Sequence, residues 1–280
     1  TENRIKFIIG DIRDKERIFR ALDGVDIVIH AAATKIVPIA EYNPFECIKT
    51  NINGAMNLID ACINKKIKKV VALSTDKASN PINLYGATKL ASDKLFLAAN
   101  SNDQSHETIF SVVRYGNVMG SRGSVIPYFL SLKDTGILPI TDVRMTRFMI
   151  TLDQSIHLVW STIFSMYGGE IFVKKIPSMN IVDIASAIAP NAKINIVGMR
   201  PGEKIHEQMI GLEDAPYTVE YQDYYKILPN LHGWSNDKKR IGDGKKVKND
   251  FVYNSLSNES YMSKKDLQKW LKKNFNVINK

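Results

Sequence analysis

The sequence predicts an α/β fold, a doubly wound parallel sheet with a smaller C-terminal lobe. Two observations carry the sheet. Short apolar runs alternate with helical patterns through the first half of the chain, as in parallel strands joined by crossover helices. Turn-forming and chemistry-bearing residues gather where those runs end, at Asp11, Ala31 to Ala33, Ser74 to Lys77 and Asn117, the edge at which such sheets hold ligands. A third observation carries the lobe. Beyond Asn117 the alternation breaks up among Gly120, Gly123, Pro127, Gly136 and Pro139.

Taken in order, Ile5–Ile9 reads as an apolar strand ending in Gly10-Asp11, and Arg13–Leu22 as a helix. Val25–His30 is the next strand. Ile48, Ile52, Met56, Ile59 and Ile63 recur at helical spacing and predict one long amphipathic helix. Val70–Thr75 reads as a strand, Leu84 to about Asn100 as a helix and Ser111–Asn117 as a strand. Glu170–Lys174 looks like one more strand of the sheet. Lys193–Val197 and the run Arg200-Pro201-Gly202-Glu203-Lys204 belong to the lobe. No internal repeat or low-complexity segment interrupts the pattern. A dinucleotide-binding sheet of this kind opens with a glycine-rich turn and a helix whose N-terminus faces the pyrophosphate. Gly10-Asp11-Ile12-Arg13-Asp14 has no second or third glycine. Either no dinucleotide is bound, or the chain begins after the first βαβ unit; a strand so close to Thr1 favours the second expectation.

Among 280 residues, 44% are hydrophobic and 24% charged, the balance of a soluble globular protein. No apolar run approaches the roughly 18 residues of a membrane span, and Thr1-Glu2-Asn3-Arg4 resembles no secretory leader. The expectation is a cytoplasmic protein without a membrane partner. Cys47 and Cys62 form neither a metal spacing nor a disulfide framework. His30, His106, His157, His206 and His232 form no metal spacing either, so no metal is expected. His30 reads as a strand-end residue near a cofactor and the others as structural or exposed. The formal charge of +9 gathers late, in Asn236–Arg240 and Gly244–Lys248, with Lys264-Lys265 and Lys272-Lys273 flanking a C-terminal helix. No aromatic residues interleave with the basic loop as a stacking platform requires, so it reads as solvated surface and not as a nucleic-acid site.

The run Ser74-Thr75-Asp76-Lys77, followed by Tyr85 and Lys89, carries the chemistry. It places a hydroxyl, an acid and an amine at a strand end. Tyr85 and Lys89, four apart, share one helix face. A phenol with a free pKa near 10 is a poor base at neutral pH, and a neighbouring ammonium makes it usable. These are parts for proton transfer beside a hydride acceptor.

The chain resembles the extended short-chain dehydrogenase/reductase superfamily. Within it, the stretch Leu73–Lys94 is similar to the configuration-inverting UDP-N-acetylglucosamine 4,6-dehydratases of pseudaminic acid biosynthesis. Arg114-Tyr115-Gly116-Asn117-Val118, Met145–Met149 and Met199–Lys204 resemble later motifs of that group, in order, from residue 1 to about 275. The family's glycine-rich turn is the departure, since it precedes the segment that begins at Thr1. The resemblance implies a Rossmann-like fold with its first βαβ unit missing. It places the NADP-binding domain at 1–118 and about 142–178, and the substrate-binding lobe at about 119–141 and 179–280.

The resemblance also implies the chemistry. Oxidation at carbon 4 acidifies the carbon 5 proton, the carbon 6 hydroxyl leaves as water, and the hydride returns to carbon 6. NADP, with NAD the less favoured choice, thus acts catalytically on UDP-N-acetylglucosamine. By resemblance Tyr85 takes the carbon 4 hydroxyl proton, Lys89 lowers the Tyr85 pKa and holds the nicotinamide ribose, and Thr75 or Ser74 bonds near the reacting oxygen. Retaining relatives carry Asp-Glu where this chain has Asp76-Lys77. Lys77 is therefore expected as the carbon 5 base and Asp76 as the group that assists loss of the hydroxyl. A lysine base must be partly neutral, so a lowered Lys77 pKa is expected.

Asp11 and Ile12 resemble residues flanking the adenine, and Ala31, Ala32 and Lys35 the loop along the pyrophosphate and ribose. Asn51 either steadies the active-site backbone or caps a helix. Val118, Met119, Gly120, Ser121 and Arg122 resemble the loop over the nicotinamide. Asn117, Val143, Arg200 and Glu203, with Lys77, are placed on the substrate, although Arg200 could equally cap a turn beside Pro201. Relatives assemble into homo-oligomers, and the same is expected here. The open alternatives are a related 4-epimerase or retaining dehydratase, and a non-catalytic fragment.

Overall fold

The computed structural model describes residues 4–102 and 107–278; His106 lies outside them. Helix α1 (Lys15–Ala21) leads to strand β1 (Ile27–His30). Helices α2 (Val37–Tyr42) and α3 (Pro44–Ile48), a π-helical turn at Lys49–Asn53 and α4 (Gly54–Asn64) connect it to β2 (Lys69–Leu73). A tight turn at Asp76–Ala78 and α5 (Leu84–Asn102) lead to β3 (Ile109–Arg114). Then come β4 (Asn117–Val118), α6 (Val125–Leu132), β5 (Ile137–Ile140), β6 (Thr146–Ile150), α7 (Leu152–Ser165) and β7 (Ile171–Lys174). Next are β8 (Ser178–Asn180), α8 (Ile181–Ile188), β9 (Lys193–Ile196) and β10 (Gln208–Ile210). The chain closes with β11 (Thr218–Glu220), β12 (Tyr224–Ile227), α9 (Lys238–Ile241), β13 (Lys245–Lys246), β14 (Tyr253–Asn254) and α10 (Lys264–Ile278).

The main sheet runs β1-β2-β3-β7-β12-β11-β13. Its first four strands are parallel. Because β2, β3 and β7 are buried on both faces, they read as continuous apolar runs, not alternating ones. The antiparallel extension through β12, β11 and β13 was not legible as sheet. It divides the segment expected as lobe, because 218–246 completes the main sheet. The lobe core is a separate cluster of Ile126, Phe129, Leu138, Ile140, Ile184 and Leu267, where β5 pairs with β9.

Two expectations need correction. Ile5–Ile9 forms no strand, and Phe7 and Ile9 are 91% and 92% exposed. Apolar, β-prone residues need a neighbouring strand to become one, and none of the described strands pairs with this segment. The long helix is broken by the π-helical turn, which rotates the face that follows. Its buried face is therefore Ala55, Leu58, Ile59 and Cys62, while Met56 is exposed.

The basic segment is partly structural. The Arg240 guanidinium is buried against Glu170 at 3.2 Å and lies over the Trp234 ring. None of the described helices is long and apolar enough to cross a membrane.

Candidate active site

The carboxyl ends of β1, β2 and β3 open on a cleft of about 530 Å³. Its far wall is the turn Arg200-Pro201-Gly202-Glu203-Lys204. Asn83 locks this wall to the sheet. Its side-chain oxygen caps α5 by accepting from the Gly86 N–H at 2.7 Å, and its amide donates to the Gly202 carbonyl at 2.7 Å. Gly202 has φ +78°, and a Cβ there would meet the Asn83 Cβ at 2.8 Å. Only glycine lets the turn approach this closely.

The start of α5 aims Tyr85 and, one turn on, Lys89 at the cleft. Lys89 is buried, and its ammonium donates to the Leu73 carbonyl at 2.7 Å. Burial pushes the Lys89 pKa down, with Asp93 opposing. Burial pushes the Tyr85 phenol up to about 12, and Lys77 and a Thr75 hydrogen bond oppose it. The expected lowering of Tyr85 by Lys89 is therefore absent. Desolvation of the phenolate dominates, and the cation that opposes it is Lys77.

Thr75 is extended, and its hydroxyl accepts from the Lys77 N–H, starting the tight turn. That turn presents Asp76 and Lys77 side by side. Asp76 is wholly buried; its Oδ1 accepts from the Thr75 hydroxyl at 2.9 Å and from the Lys77 ammonium at 3.1 Å. Ser74 also lines the cleft, but its hydroxyl donates to Asp93 at 2.7 Å, whereas the Thr75 hydroxyl joins the Asp76–Lys77 cluster.

Sequence reasoning gave no role to Glu207. Its carboxylate lies 3.1 Å from the Lys77 ammonium and 3.8 Å from the Arg147 guanidinium. Arg147 and Lys204 belong to the two later motifs that carry the family resemblance. Nothing in the local sequence marks Glu207, because a separate segment brings it across the cleft. Burial alone would push the Lys77 pKa down, but Asp76 and Glu207 more than reverse this, and the net shift is upward. The expected lowering of Lys77 is thus overturned by two carboxylates. Burial and Glu207 raise Asp76. Glu207 goes the other way, because Lys77 and Arg147 outweigh its burial.

Several other candidates line the cleft, namely Ala31, Lys35, Asn117, Val118, Ser121, Arg122, Arg200 and Glu203. The Lys35 ammonium donates to the Arg122 carbonyl at 3.3 Å, joining the two rims. Arg200 and Glu203 pair with each other at 3.8 Å. Asn51 sits behind the wall. It accepts from the Thr34 N–H at 2.8 Å, donates to the Thr34 carbonyl at 3.0 Å and donates to the Thr88 hydroxyl. It steadies the loop after β1 and caps no helix. Asp11, Ile12, Ala32, Asp76, Met119, Gly120 and Val143 are not among the lining residues. Asp11 is held by Arg13 on the surface, Ile12 lies against Gly54, and Met119 is in the lobe core.

A model of the polysaccharide biosynthesis protein family matches residues 1–229. The chain belongs to this family. It is 55% identical over 270 residues to a UDP-N-acetylglucosamine 4,6-dehydratase (inverting) of Campylobacter jejuni, covering 94% of this chain and 81% of that protein. It is 43% identical to a UDP-glucose 4-epimerase of Rickettsia conorii, covering 80% and 67%. The structure of Pen from Bacillus thuringiensis superimposes with a TM-score of 0.86 at 37% identity, over all of this chain and 84% of that one. A dTDP-glucose 4,6-dehydratase, DesIV from Streptomyces venezuelae, solved with NAD and TYD bound, shares the fold at a TM-score of 0.66 and 24% identity, over 72% and 70%.

His30 supplies a pH test. Its ring is buried against Phe96, and burial, then Lys89, lowers its pKa from 6.5 to about 4. The unfolded chain therefore binds the proton first. Stability from neutral His30 is complete above about pH 6.5 and is lost as pH falls towards about 4, by on the order of 3 kcal/mol. Urea unfolding of wild type and His30→Gln at pH 7 and pH 4.5 should show the smaller acid loss in the variant. Equal losses would remove His30 as the cause.

Proposed function

We propose that the chain is a nucleotide-sugar 4,6-dehydratase that converts UDP-N-acetylglucosamine to the 4-keto-6-deoxy sugar with inversion at carbon 5. The observation that carries this reading is one cleft lined by Tyr85, Lys89 and Lys77, with the buried Asp76 carboxylate 3.1 Å behind the Lys77 ammonium. The first pair suits oxidation at carbon 4 and the second suits elimination across carbons 5 and 6. The 55% identity to an inverting dehydratase supports the same substrate and stereochemistry.

The cleft fits a nicotinamide cofactor. Lys89 is a buried ammonium beside the strand ends with one protein carbonyl as acceptor among the described residues, which leaves donors for a ribose diol. Ala31, Lys35, Val118, Ser121 and Arg122 would hold the rest of that half. When bound, the cofactor supplies the hydride acceptor at carbon 4 and the returning hydride at carbon 6. NADP is our first choice and NAD the alternative; calorimetric titration with each decides. Tyr85 takes the carbon 4 hydroxyl proton, with Thr75 beside it. Asp76 and Lys77 then handle the carbon 5 proton and the carbon 6 hydroxyl. Arg200, on the far wall, is suited to the diphosphate by its fork of donors.

Cys47 and Cys62 are buried free thiols, which accords with the cytoplasm. The exposed aromatic pair Trp160 and Phe164 on α7 accords with a homo-oligomer. By resemblance, the product enters pseudaminic acid synthesis.

Product NMR after reaction in deuterated water tests the reading. A 6-deoxy-4-keto product with deuterium at carbon 5 and the L-arabino configuration is expected. The epimerase reading, favoured by the Rickettsia relatives, gives a carbon 4 epimer with carbon 6 still hydroxylated, and that product would overturn ours.

A further inference from the structure

Lys89 lines the cleft from a buried position, and burial works against its charge. An ammonium so placed needs a partner that holds both its proton and its place. Asp93 is built for both. It lies one helical turn beyond Lys89 on α5 and is 1% exposed. The two side chains grip one peptide. The Lys89 ammonium donates to the Leu73 carbonyl at 2.7 Å, and the hydroxyl of the next residue, Ser74, donates to Asp93 Oδ2 at 2.7 Å. Successive turns of α5 thus clamp the end of β2. The Ser74 N–H is held from the other side by the Val113 carbonyl of β3 at 2.7 Å.

A third element fixes Asp93. Arg114, the last residue of β3, is buried, and its guanidinium stands 3.4 Å from the same Asp93 oxygen. It also donates to the Met209 carbonyl of β10 at 2.8 Å and lies 3.6 Å from Asp214. The carboxylate is therefore shared among α5, β2 and β3, and tied through Arg114 to the strand that follows Glu207. The other titratable groups around the start of α5 offer Lys89 no negative charge. His30 of β1 is neutral, since burial and Lys89 itself lower its pKa to about 4. The Cys47 thiol of α3 meets Thr88 and Asn51. The phenols of Tyr85 on α5 and Tyr115 after β3 are pushed up to about 12 and stay uncharged. Asp76 and Glu207 are engaged by Lys77. Asp93 is the charged group that opposes the effect of burial on Lys89.

We propose that Asp93 is a positioning residue, which seats the Lys89 side chain on the Leu73–Ser74 peptide and keeps it an ammonium for the cofactor ribose, with Arg114 holding the carboxylate to β10. This rests on the nicotinamide reading above. Charge matters at that contact, because a charged donor makes a hydrogen bond about twice as strong as a neutral one. Asp93 does not line the cleft and acts through Lys89.

The first readout is Lys89 itself, followed by NMR of protein carrying carbon-13 at the lysine Cε and assigned by the signal lost in Lys89→Met. Asp93→Asn keeps the shape of the side chain and should lower the Lys89 titration midpoint by about one pH unit or more. Asp93→Glu keeps the charge and should stay within about half a unit of wild type. Arg114→Met removes a cation that draws on the same carboxylate, so its midpoint should stay level or rise. Simple damage to the fold gives no such difference in sign. The second readout is calorimetric titration with NADP and with NAD. Below both midpoints Asp93→Asn should bind as wild type does, and between them about twofold or more weaker. An unmoved Lys89 midpoint in Asp93→Asn, a fall in Arg114→Met, or a loss of affinity that is equal at every pH overturns the assignment. Should Asp93→Asn not fold, Asp93→Glu and Arg114→Met decide by the same limits. A midpoint that moves as expected in protein that binds neither nucleotide upholds the hold of Asp93 on Lys89 and sinks the cofactor reading instead.

Discussion

Replacing Tyr85 by Phe should reduce turnover by about 100-fold or more while leaving the binding of the sugar nucleotide nearly unchanged. The substitution removes one oxygen. The ring keeps its place at the start of α5, among Val37, Ala40, Cys47 and Leu84. In the proposed reaction, what is lost is the acceptor for the carbon 4 proton, and carbon 4 must be oxidised before the carbon 5 proton can be removed. Stopped-flow absorbance of the reduced nicotinamide should therefore stay flat in Tyr85→Phe and rise transiently in Lys77→Met, where oxidation precedes the blocked step. The Tyr85 phenol stands near 12 in this structure, so its ionisation depends on positive charge in the cleft. Lys77 is the protein cation that opposes the effect of burial there. Retention of more than about a tenth of the wild-type rate would remove Tyr85 from the role.

The parts of this site that were legible in the sequence are those built by local geometry. Thr75, Asp76 and Lys77 follow one strand, and Tyr85 and Lys89 share one helix face, so their spacing alone brings them together. In the sequence Asn117 reads as the end of the strand that is β3; that strand stops at Arg114 and Asn117 opens β4, yet it still lines the cleft. Glu207 was not legible, because contacts of its segment with β6 and β14, both distant in sequence from Lys77, carry it there. The direction of the Lys77 shift failed with it. A lysine at a strand end reads as desolvated, and the second carboxylate that reverses the effect lies far along the chain. Ile5–Ile9 failed for a related reason, since a strand is a property of a pair. The π-helical turn at Lys49–Asn53 is a further case. It moves the buried face of the helix, and with it Asn51 faces Thr34, where the isoleucine spacing had suggested an unbroken register.

Phe148→Ala should be the most destabilising single truncation at the site, at about 3–5 kcal/mol. Phe148 is fully buried on β6, with its ring 4.9 Å from that of Tyr253. It lies so close to Gly116 that a Cβ there would stand 2.4 Å from the Phe148 Cβ. The cavity cannot collapse easily. The Tyr253 hydroxyl accepts from the Ile176 N–H and donates to the Ile176 carbonyl, and Gly116 has no side chain to move in. The damage should reach function as well. Arg147 precedes Phe148 and pairs with Glu207, and Met149 follows it and pairs with Asn117 across β4 and β6. Loosening β6 thus releases the second cation of the cluster and the cleft-lining Asn117 together. Urea unfolding should show a lower midpoint at an unchanged slope, whereas Tyr42→Ala, at an exposed helix end, should stay within about 0.5 kcal/mol of wild type. Equal effects of the two truncations would mean that β6 is not part of the cooperative core that holds the cleft.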